Sequence, residues 1–169
     1  MEAMEAILSR RSVRKYTAEP VPEKLIHELL AAAMSAPSAN NEQPWHFVII
    51  NDHQILNEIP KYHPYSYMLG EASWAIAVCG DLEREMLKGY WVQGCSAATE
   101  NILIAAQARG LGAVWLGVYP RTERTAAIQK LLGLPDHIMP LCLISIGYPA
   151  EKKPRANRYD PSRIHHNRW

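Results

Sequence analysis

The sequence predicts an α/β or α+β domain in which one β-sheet is covered by helices. Four short apolar runs are typical of strands, and such continuously apolar strands are usually covered on both faces. Helical segments lie between these runs and can supply that cover. The chain has 169 residues, which is long enough to bury a core, so we predict a single domain over residues 1–169.

The helical segments are recognised by their apolar spacing. In the second segment Leu25, Ile26 and Leu29 recur with helical periodicity. Pro22 suits the first helical turn, and the helix must end before Pro37. We predict helices at residues 1–10, 22–36, 54–62, 87–109 and 122–133. The 87–109 helix is rich in glycine and alanine, which suits either a central core helix or a helix packed across a dimer interface.

Strands are predicted wherever an apolar run is short and rich in β-branched or aromatic residues. One example is WHFVII, and another is the almost wholly apolar SWAIAVCG. We place strands at residues 45–50, 73–80, 113–120 and 139–149. The remaining segment, 150–169, is polar, contains two prolines and is predicted to be extended.

Charge and cysteine content narrow the class of protein. The net charge is +1, so no overall field favours nucleic acid or an anionic membrane. No apolar run approaches the length of a membrane span. The three cysteines, Cys79, Cys95 and Cys142, lie in apolar runs without a C-x-x-C pattern. They are expected to be buried, reduced thiols of a cytoplasmic protein.

A basic cluster near the N-terminus, SRRSVRKY at residues 9–16, stands out against this neutral background. A solvated surface is the ordinary interpretation of such a run. A nucleic-acid patch fits less well, because the rest of the chain adds no excess of positive charge. A membrane-surface patch fits less well, because the flanking helix is too acidic. The fourth interpretation is a pocket for a phosphate group, since arginine forks and a serine hydroxyl suit phosphate oxygens.

A second landmark is the segment APSANNEQPWHFVII at residues 36–50. It places a serine, two asparagines and a glutamine in a loop between a helix and a strand. Amide side chains offer both a donor and an acceptor, so they can read the edge of a planar heterocycle. Taken alone, the segment is better explained as an ordinary loop between a helix and a strand.

Together, SRRSVRKY and the following PSANNEQPWHF resemble the nitroreductase family of FMN-dependent oxidoreductases. GLGAVWLGVYP, LISIGYPAEKKPR and NRYDPSRIHHNRW agree with the family in the same order, so the resemblance covers essentially the whole chain. It implies an α+β fold, a three-layer α/β/α sandwich with a mostly antiparallel central sheet. It also implies a homodimer with swapped C-terminal arms and two FMN sites at its interface.

The resemblance also implies which residues bind FMN. Arg10 and Ser12 should meet the phosphate and the ribityl chain, with Arg11 beside them, and Arg14 should lie near N1 and the C2 carbonyl. A fixed cation at N1 stabilises reduced flavin. The family often has lysine at the position of Arg14, so the tuning of the flavin can differ here.

The helix-to-strand loop and the third strand are expected to meet the flavin ring. The family contributes Pro37, Ser38 and Ala39 from the partner subunit, uses Asn41 to read the pyrimidine edge, and has Gln43 to support the loop. Leu116 and Gly117 match the turn whose backbone N–H groups face N5 and O4. Glycine there allows the backbone to approach the ring closely.

The C-terminal arm departs from the family in one place. The family commonly has a K-x-R pair that reaches the phosphate, and Arg158 fits its second position while Ala156 occupies the first. Arg155 either replaces the missing charge or is a solvated side chain. Tyr65 and Tyr67 lie where the family often builds its substrate wall, although surface or core aromatic residues are the plainer interpretation.

The implied reaction is ping-pong: NADH or NADPH gives hydride to the flavin, and a nitroaromatic, quinone or similar small acceptor then takes two electrons. No protein nucleophile and no metal are expected, and G-x-G-x-x-G is lacking, so the nicotinamide should bind transiently. The short segment between Tyr62 and Trp74 predicts an open site without a helical lid. Alternatives are dehalogenation, enoate reduction, flavin breakdown, a flavin-storage protein, or a basic patch without cofactor.

Overall fold

The computed structural model describes residues 1–169 and contains four strands and five α-helices. The helices are α1 (Ala3–Ser9), α2 (Glu23–Met34), α3 (His53–Glu58), α4 (Trp91–Ala108) and α5 (Thr122–Leu132). The strands are β1 (Trp45–Ile50), β2 (Trp74–Asp81), β3 (Gly112–Gly117) and β4 (Ile138–Gly147). Short 3-10 turns occupy Ala39–Asn41, Ile59–Lys61, Tyr67–Gly70 and Pro161–Arg163.

The four strands form one antiparallel sheet in the order β1-β2-β4-β3. All of its neighbouring strands run antiparallel. The fold is therefore α+β rather than α/β, the two classes between which the strand pattern alone did not distinguish. Strands β2 and β4 are the central pair, and nearly every residue in them is buried. Both faces of the sheet must therefore be covered, as the apolar runs predicted.

Alternation along β2 divides the core into two layers. Ile76 and Val78 point to the side covered by α2 and α4, where they join a cluster that includes Ile102. Ala75 and Ala77 point to the opposite side, which α3, α5 and the 3-10 turns cover. Helices on both faces of one sheet give the predicted three-layer sandwich.

The predicted elements exist, but several boundaries were wrong. The helix expected from residue 87 begins at Trp91, because 82–90 forms turns and Gly89 has a φ of 93°. The strand expected to reach residue 120 ends at Gly117, since Val118 and Tyr119 both donate to the Leu141 carbonyl. The helix expected over 54–62 ends at residue 58, and a 3-10 turn follows.

The long helix α4 is a core helix on its inward face. Cys95, Ala98 and Ile102 are fully buried there. The alternative role of its small residues, at a dimer interface, concerns its other face and remains a prediction. None of the helices, α4 included, is long and apolar enough to cross a membrane.

The three cysteines are free and buried, as predicted. Burial raises the pKa of Cys79 to about 12 and that of Cys142 to about 12. Burial also raises the pKa of Cys95. These thiols therefore stay protonated at neutral pH and act as core side chains.

Candidate functional site: an arginine segment and a glycine turn on one strand

The basic segment lies against the start of β3. The Val13 N–H donates to the Ala113 carbonyl at 3.0 Å, and Ser12 forms a bridge with the same residue. A Cβ atom on Gly112 would lie 2.7 Å from Val13 Cγ1. Glycine at this position therefore lets the segment sit directly on the sheet, so the arginines start from a fixed backbone.

The C-terminal segment closes over the same stretch of chain. Lys153 Nζ donates to the Ser12 carbonyl at 2.6 Å, and the Arg14 N–H donates to Glu151 Oε1 at 2.7 Å. Lys153 also lies 3.1 Å from Glu151. The Arg14 N–H and then Lys153 hold the pKa of Glu151 below its usual range. The two chain ends are thus joined by polar contacts beside β3.

Two of the four side chains of the basic cluster that are predicted to bind FMN already have partners in the chain. Arg10 Nε lies 3.2 Å from Glu100 Oε1 on α4. Arg11 donates to the Pro154 carbonyl. These contacts orient both guanidinium groups, but each group has further N–H donors left for an anion.

The other two predicted groups have no partner. No hydrogen bond reaches the Ser12 hydroxyl or the Arg14 guanidinium, although the backbones of both residues are tied to the C-terminal segment. Both residues are half-buried. They are therefore positioned donors that no side chain of this protein satisfies.

The helix-to-strand loop has an unusual backbone conformation. Asn40, Asn41 and Gln43 have φ values of 48°, 54° and 49°. Non-glycine residues in this left-handed region are uncommon and occur often at functional sites. Ser38 Oγ accepts from the Gln43 N–H at 3.0 Å, and Gln43 Nε2 donates to Asn41 Oδ1 at 3.0 Å. Gln43 therefore contacts Asn41 within the loop, while its role toward a flavin remains a prediction.

Within a single chain, this loop and the arginine segment are not bonded to each other. The loop packs on α4, where a Cβ on Gly94 would lie 3.5 Å from Ser38 Cβ. Glu100, the partner of Arg10, is six residues further along, which is about 9 Å of helix. No hydrogen bond links the loop to the arginine segment, and Pro37 is exposed.

The other end of β3 carries the predicted flavin turn. Leu116 is buried, whereas Gly117 is exposed and has no atom within 4 Å of the position of a Cβ. The Gly117 carbonyl has two donors: His63 Nε2 at 2.9 Å and Arg124 Nη1 at 3.3 Å. The turn is therefore held on its carbonyl side and open on the side that a side chain would occupy.

His63 is the residue that ties this turn to the segment after α3. It is 2% exposed, and its Nδ1 accepts from the Tyr65 N–H at 3.3 Å. Burial lowers the pKa of His63, the hydrogen bond to Gly117 opposes that effect, and the nearby charge of Arg124 lowers it further. The two bonds define a neutral imidazole that carries its proton on Nε2.

The two tyrosines of this segment differ in their surroundings. Both side chains are 67% exposed, which rules out the core interpretation. The ring of Tyr65 lies 5.7 Å from Arg124 Cζ and meets the His63 ring edge-on. Tyr65 therefore belongs to the surroundings of Gly117, whereas Tyr67 has no recorded aromatic or cationic neighbour.

His63 and Arg124 were missed by the sequence analysis. His63 lies 54 residues before Gly117 and occurs in no recognisable motif. Arg124 looks like an ordinary exposed residue near the start of a helix. The two residues can be recognised as a pair only from the folded structure, which brings both side chains to the Gly117 carbonyl.

The tail residues are only partly where the prediction put them. Arg155 is exposed and forms a surface ion pair with Glu5 on α1, so its role toward the phosphate remains a prediction. Ala156 is half-buried and Arg158 is exposed without an ion-pair partner.

One cavity of the chain lies elsewhere. It has a volume of about 570 Å³, and its lining includes Tyr16, Asn51, Glu71 and Trp74 but none of the predicted flavin-binding residues.

One group of potential metal ligands exists at the opposite end of β4. Asp81, Glu83 and His137 have ligand atoms within 4.8 Å of one another. They lie beside Ile138, whereas the arginine segment lies beside Ala113, the partner of Ile146. Eight residues of β4 separate these places, which is about 26 Å, so the group is no part of the β3 site.

Comparison with known proteins identifies the family of the chain. The model of the nitroreductase family matches residues 7–85 and 61–148. The chain belongs to the nitroreductase family.

Particular relatives agree along the whole length. A protein of Methanothermobacter thermautotrophicus, provisionally named an NADH dehydrogenase/NAD(P)H nitroreductase, is 48% identical over 169 residues, which is 100% of this chain and 88% of the relative. A crystal structure of a protein with the same provisional name from Parabacteroides distasonis is 45% identical, has a TM-score of 0.95 and matches over 99% of this chain and 98% of the other.

A third structure was solved with a ligand. It is a provisionally named nitroreductase from Desulfovibrio desulfuricans in complex with FMN. It is 30% identical, has a TM-score of 0.87 and matches over 100% of this chain and 98% of the other.

Proposed function

We propose that this member of the nitroreductase family is an FMN-dependent oxidoreductase that takes hydride from NADH or NADPH and passes two electrons to a nitroaromatic, quinone or similar acceptor. One observation carries the proposal: β3 has a docked arginine segment at its first end and an open glycine turn at its last. Bound FMN supplies the redox chemistry, in two successive half-reactions that share one place.

The first end of β3 suits the phosphate and the pyrimidine side of FMN. The Ser12 hydroxyl and the Arg14 guanidinium are positioned donors without partners, and anionic oxygens are their preferred acceptors. Arg10 would contribute by sharing its donors between the phosphate and Glu100. Arg11 adds positive charge from its place against Pro154. Arg14 would hold a positive charge beside N1, where it stabilises the reduced form.

The last end of β3 suits the flavin ring. No side chain occupies the space above Gly117, so a planar ring can approach the backbone there. Leu116 anchors the strand in the core, and His63 fixes the Gly117 carbonyl. The Gly117 N–H would face N5 and O4, where a fixed donor can orient the flavin for hydride transfer, whereas the Leu116 N–H points toward Leu143 on β4.

We further propose that a second copy of the chain completes the site. Pro37, Ser38 and Ala39 would reach the flavin of the partner, with Asn41 on the pyrimidine edge and Gln43 holding the loop. Support comes from the loop itself, which no hydrogen bond joins to the arginine segment of its own chain.

The C-terminal arm supports the same assembly. Tyr159, Ile164 and Trp169 are large apolar side chains that stay exposed in the single chain, Trp169 completely. Such residues are expected to be covered by another surface. We propose that the arm crosses to the partner subunit and brings Arg158 near the phosphate there.

The test is a visible spectrum of the protein reconstituted with FMN, recorded without oxygen before and after addition of NADH or NADPH. We expect bound flavin to be bleached by the donor and its colour to return when a nitroaromatic or quinone is added. Binding without bleaching by either donor would favour flavin storage over catalysis. Failure to bind FMN at all would contradict the site itself.

A matched pair of variants locates the binding. Arg14→Gln should weaken FMN binding roughly tenfold or more, because it removes a charged donor to the flavin. Arg109→Gln removes an equal charge at the end of α4, where Arg109 pairs with Glu28, and should leave FMN affinity unchanged. Equal affinities in both variants would place the flavin elsewhere.

A further inference from the structure

We propose that Arg124 recognises a negatively charged group of the substrate that meets the flavin at the Gly117 turn. The inference rests on the proposed function, because that function places the flavin ring at Gly117. It extends the function by naming a substrate class: molecules that carry a carboxylate or a phosphate close to the group that exchanges hydride or electrons.

The first support is the position of Arg124. The residue is half-buried in the first turn of α5. Its Nη1 donates to the Gly117 carbonyl at 3.3 Å, so the cation stands at the turn itself. A guanidinium has five N–H donors, and this is the only hydrogen bond that the Arg124 guanidinium makes, so a fork for an anion remains available.

The second support is the absence of a counter-charge. Arg10, Arg109, Arg155 and Arg163 each have a carboxylate within ion-pair distance. Arg124 has none, although it is less exposed than Arg155 or Arg163. A half-buried charge without an opposite charge is unfavourable until an anion reaches it.

The third support is how firmly the cation is held. The Tyr65 ring lies 5.7 Å from Arg124 Cζ, which is within the range of a cation–π interaction. The buried His63 holds the Tyr65 backbone and the Gly117 carbonyl at the same time. Arg124 is therefore held between the Gly117 turn and the Tyr65 ring, and His63 supports both of them.

The helix beneath Arg124 adds to the preference for an anion. Residues in the first turn of α5 stand at the positive end of an eleven-residue helix. Glu123 is in the same turn, but its side chain is exposed and makes no ion pair with Arg124. The groups that face the Gly117 turn are thus the cation, a neutral imidazole and a tyrosine.

Two sources can supply the anionic group. It can belong to the acceptor, as a carboxylate beside a nitro or quinone group, or to the hydride donor, as a phosphate of NADH or NADPH. A ping-pong cycle separates these sources, because kcat/KM for the acceptor and kcat/KM for the donor report different half-reactions.

The experiment compares FMN-loaded wild-type protein with Arg124→Gln, using 4-nitrobenzoate and 4-nitrobenzamide as acceptors of equal size and different charge. We expect kcat/KM for nitrobenzoate to fall about tenfold and that for nitrobenzamide to change less than about twofold. If instead kcat/KM for NADH or NADPH falls about tenfold while neither acceptor is affected, the anion is a phosphate of the donor, which also supports the inference.

Arg121→Gln is the matched control. Arg121 lies one turn earlier, is exposed and makes no contact with Gly117. The kcat/KM values for nitrobenzoate, nitrobenzamide, NADH and NADPH should therefore stay at the wild-type level. Arg124→Lys keeps the charge and should retain a preference for nitrobenzoate. In the wild-type protein itself, benzoate should inhibit more strongly than benzamide, which tests the inference even if Arg124→Gln does not fold.

The inference is overturned if Arg124→Gln changes kcat/KM for all donors and acceptors equally, or for none of them, while the flavin spectrum stays intact. It is also overturned by two results together: benzoate and benzamide inhibit the wild-type protein equally, and neither Arg124 variant loses kcat/KM for NADH or NADPH. A wild-type protein that binds no FMN would instead contradict the proposed function, so the two failures are distinguishable.

Discussion

The two ends of β3 both carry a glycine, but the two glycines have opposite surroundings. At Gly112 an added Cβ would lie 2.7 Å from Val13 Cγ1 and 3.3 Å from Pro149 Cβ, so the chain fills that space itself. At Gly117 an added Cβ would meet nothing within 4 Å. The first glycine is required by the fold, whereas the second leaves room for a molecule that the fold does not supply.

The charges at the two ends differ in the same way. At the first end Arg10 is accompanied by Glu100, and Lys153 by Glu151. At the second end Arg124 has only a carbonyl and an aromatic ring beside it. The first end therefore has cations paired with carboxylates beside the unpaired Arg14, whereas the cation at the second end has no carboxylate partner.

The largest effect on stability is expected at the first end. Gly112→Val should lower the free energy of unfolding by about 2–3 kcal/mol, because the new side chain must displace Val13 or strain β3. Thermal or urea unfolding of FMN-free protein measures the loss. A variant as stable as the wild type would show that the arginine segment does not depend on close packing against β3.

The second end should respond differently to a similar change. Gly117→Ala meets no atom of the chain, so FMN-free protein should stay within about 0.5 kcal/mol of wild-type stability. Its FMN affinity should fall roughly tenfold, because the methyl group enters the space proposed for the ring. Titration of FMN followed by visible absorbance or by the shift in Tm measures this.

An unchanged FMN affinity in Gly117→Ala would remove the flavin from this end of β3. The paired result matters most: Gly112 variants should lose stability without FMN present, and Gly117 variants should lose only the ligand. If both variants lost stability alike, the contrast between a packed end and an open end would be wrong.

His63→Leu is expected to have a moderate effect. It removes a donor from the Gly117 carbonyl and an acceptor from the Tyr65 N–H, which should cost about 1 kcal/mol of unfolding free energy. The cost stays near this value because Arg124 still donates to Gly117. Urea unfolding of the variant, with the exposed His53→Leu as a control of similar chemistry, tests the expectation.

Coupling between the two donors sharpens this test. If His63 and Arg124 hold the same carbonyl, His63→Leu combined with Arg124→Gln should cost more than the sum of the single changes. Strictly additive free energies would indicate that the two side chains act on separate parts of the turn.

The sequence was a good guide wherever a property is local. The apolar runs predicted all four strands, and helical spacing predicted the five helices, because burial imposes those periods directly on neighbouring residues. The helix boundary at Trp91 was missed, since Gly89 breaks the pattern through its backbone conformation rather than through polarity. The order of strands in the sheet depends on pairing between distant segments and was not accessible to the same reasoning.

The same distinction applies to the candidate site. Clustered arginines are visible as a cluster in the sequence, and the structure does place residues 10–14 on one docked segment. His63 and Arg124 are 61 positions apart and share only the Gly117 carbonyl. Nothing local marks them, because their meeting depends on how α3, β3 and α5 pack on one face of the sheet.

The smallest effect is expected from the carboxylate that supports the first end. In the folded chain the Arg14 N–H and Lys153 lower the pKa of Glu151 below 4.5, its ordinary value. The stability that ionised Glu151 contributes is therefore present in full above about pH 4.5, and it is lost as the pH falls through the lowered pKa. The difference in unfolding free energy between wild type and Glu151→Gln should be constant near neutral pH and shrink below about pH 4.5. Denaturation curves from about pH 6 to 3 measure it, and the exposed Glu2→Gln should show no such change. A difference that stays constant down to pH 3 would mean that Glu151 does not fasten the arginine segment by its charge.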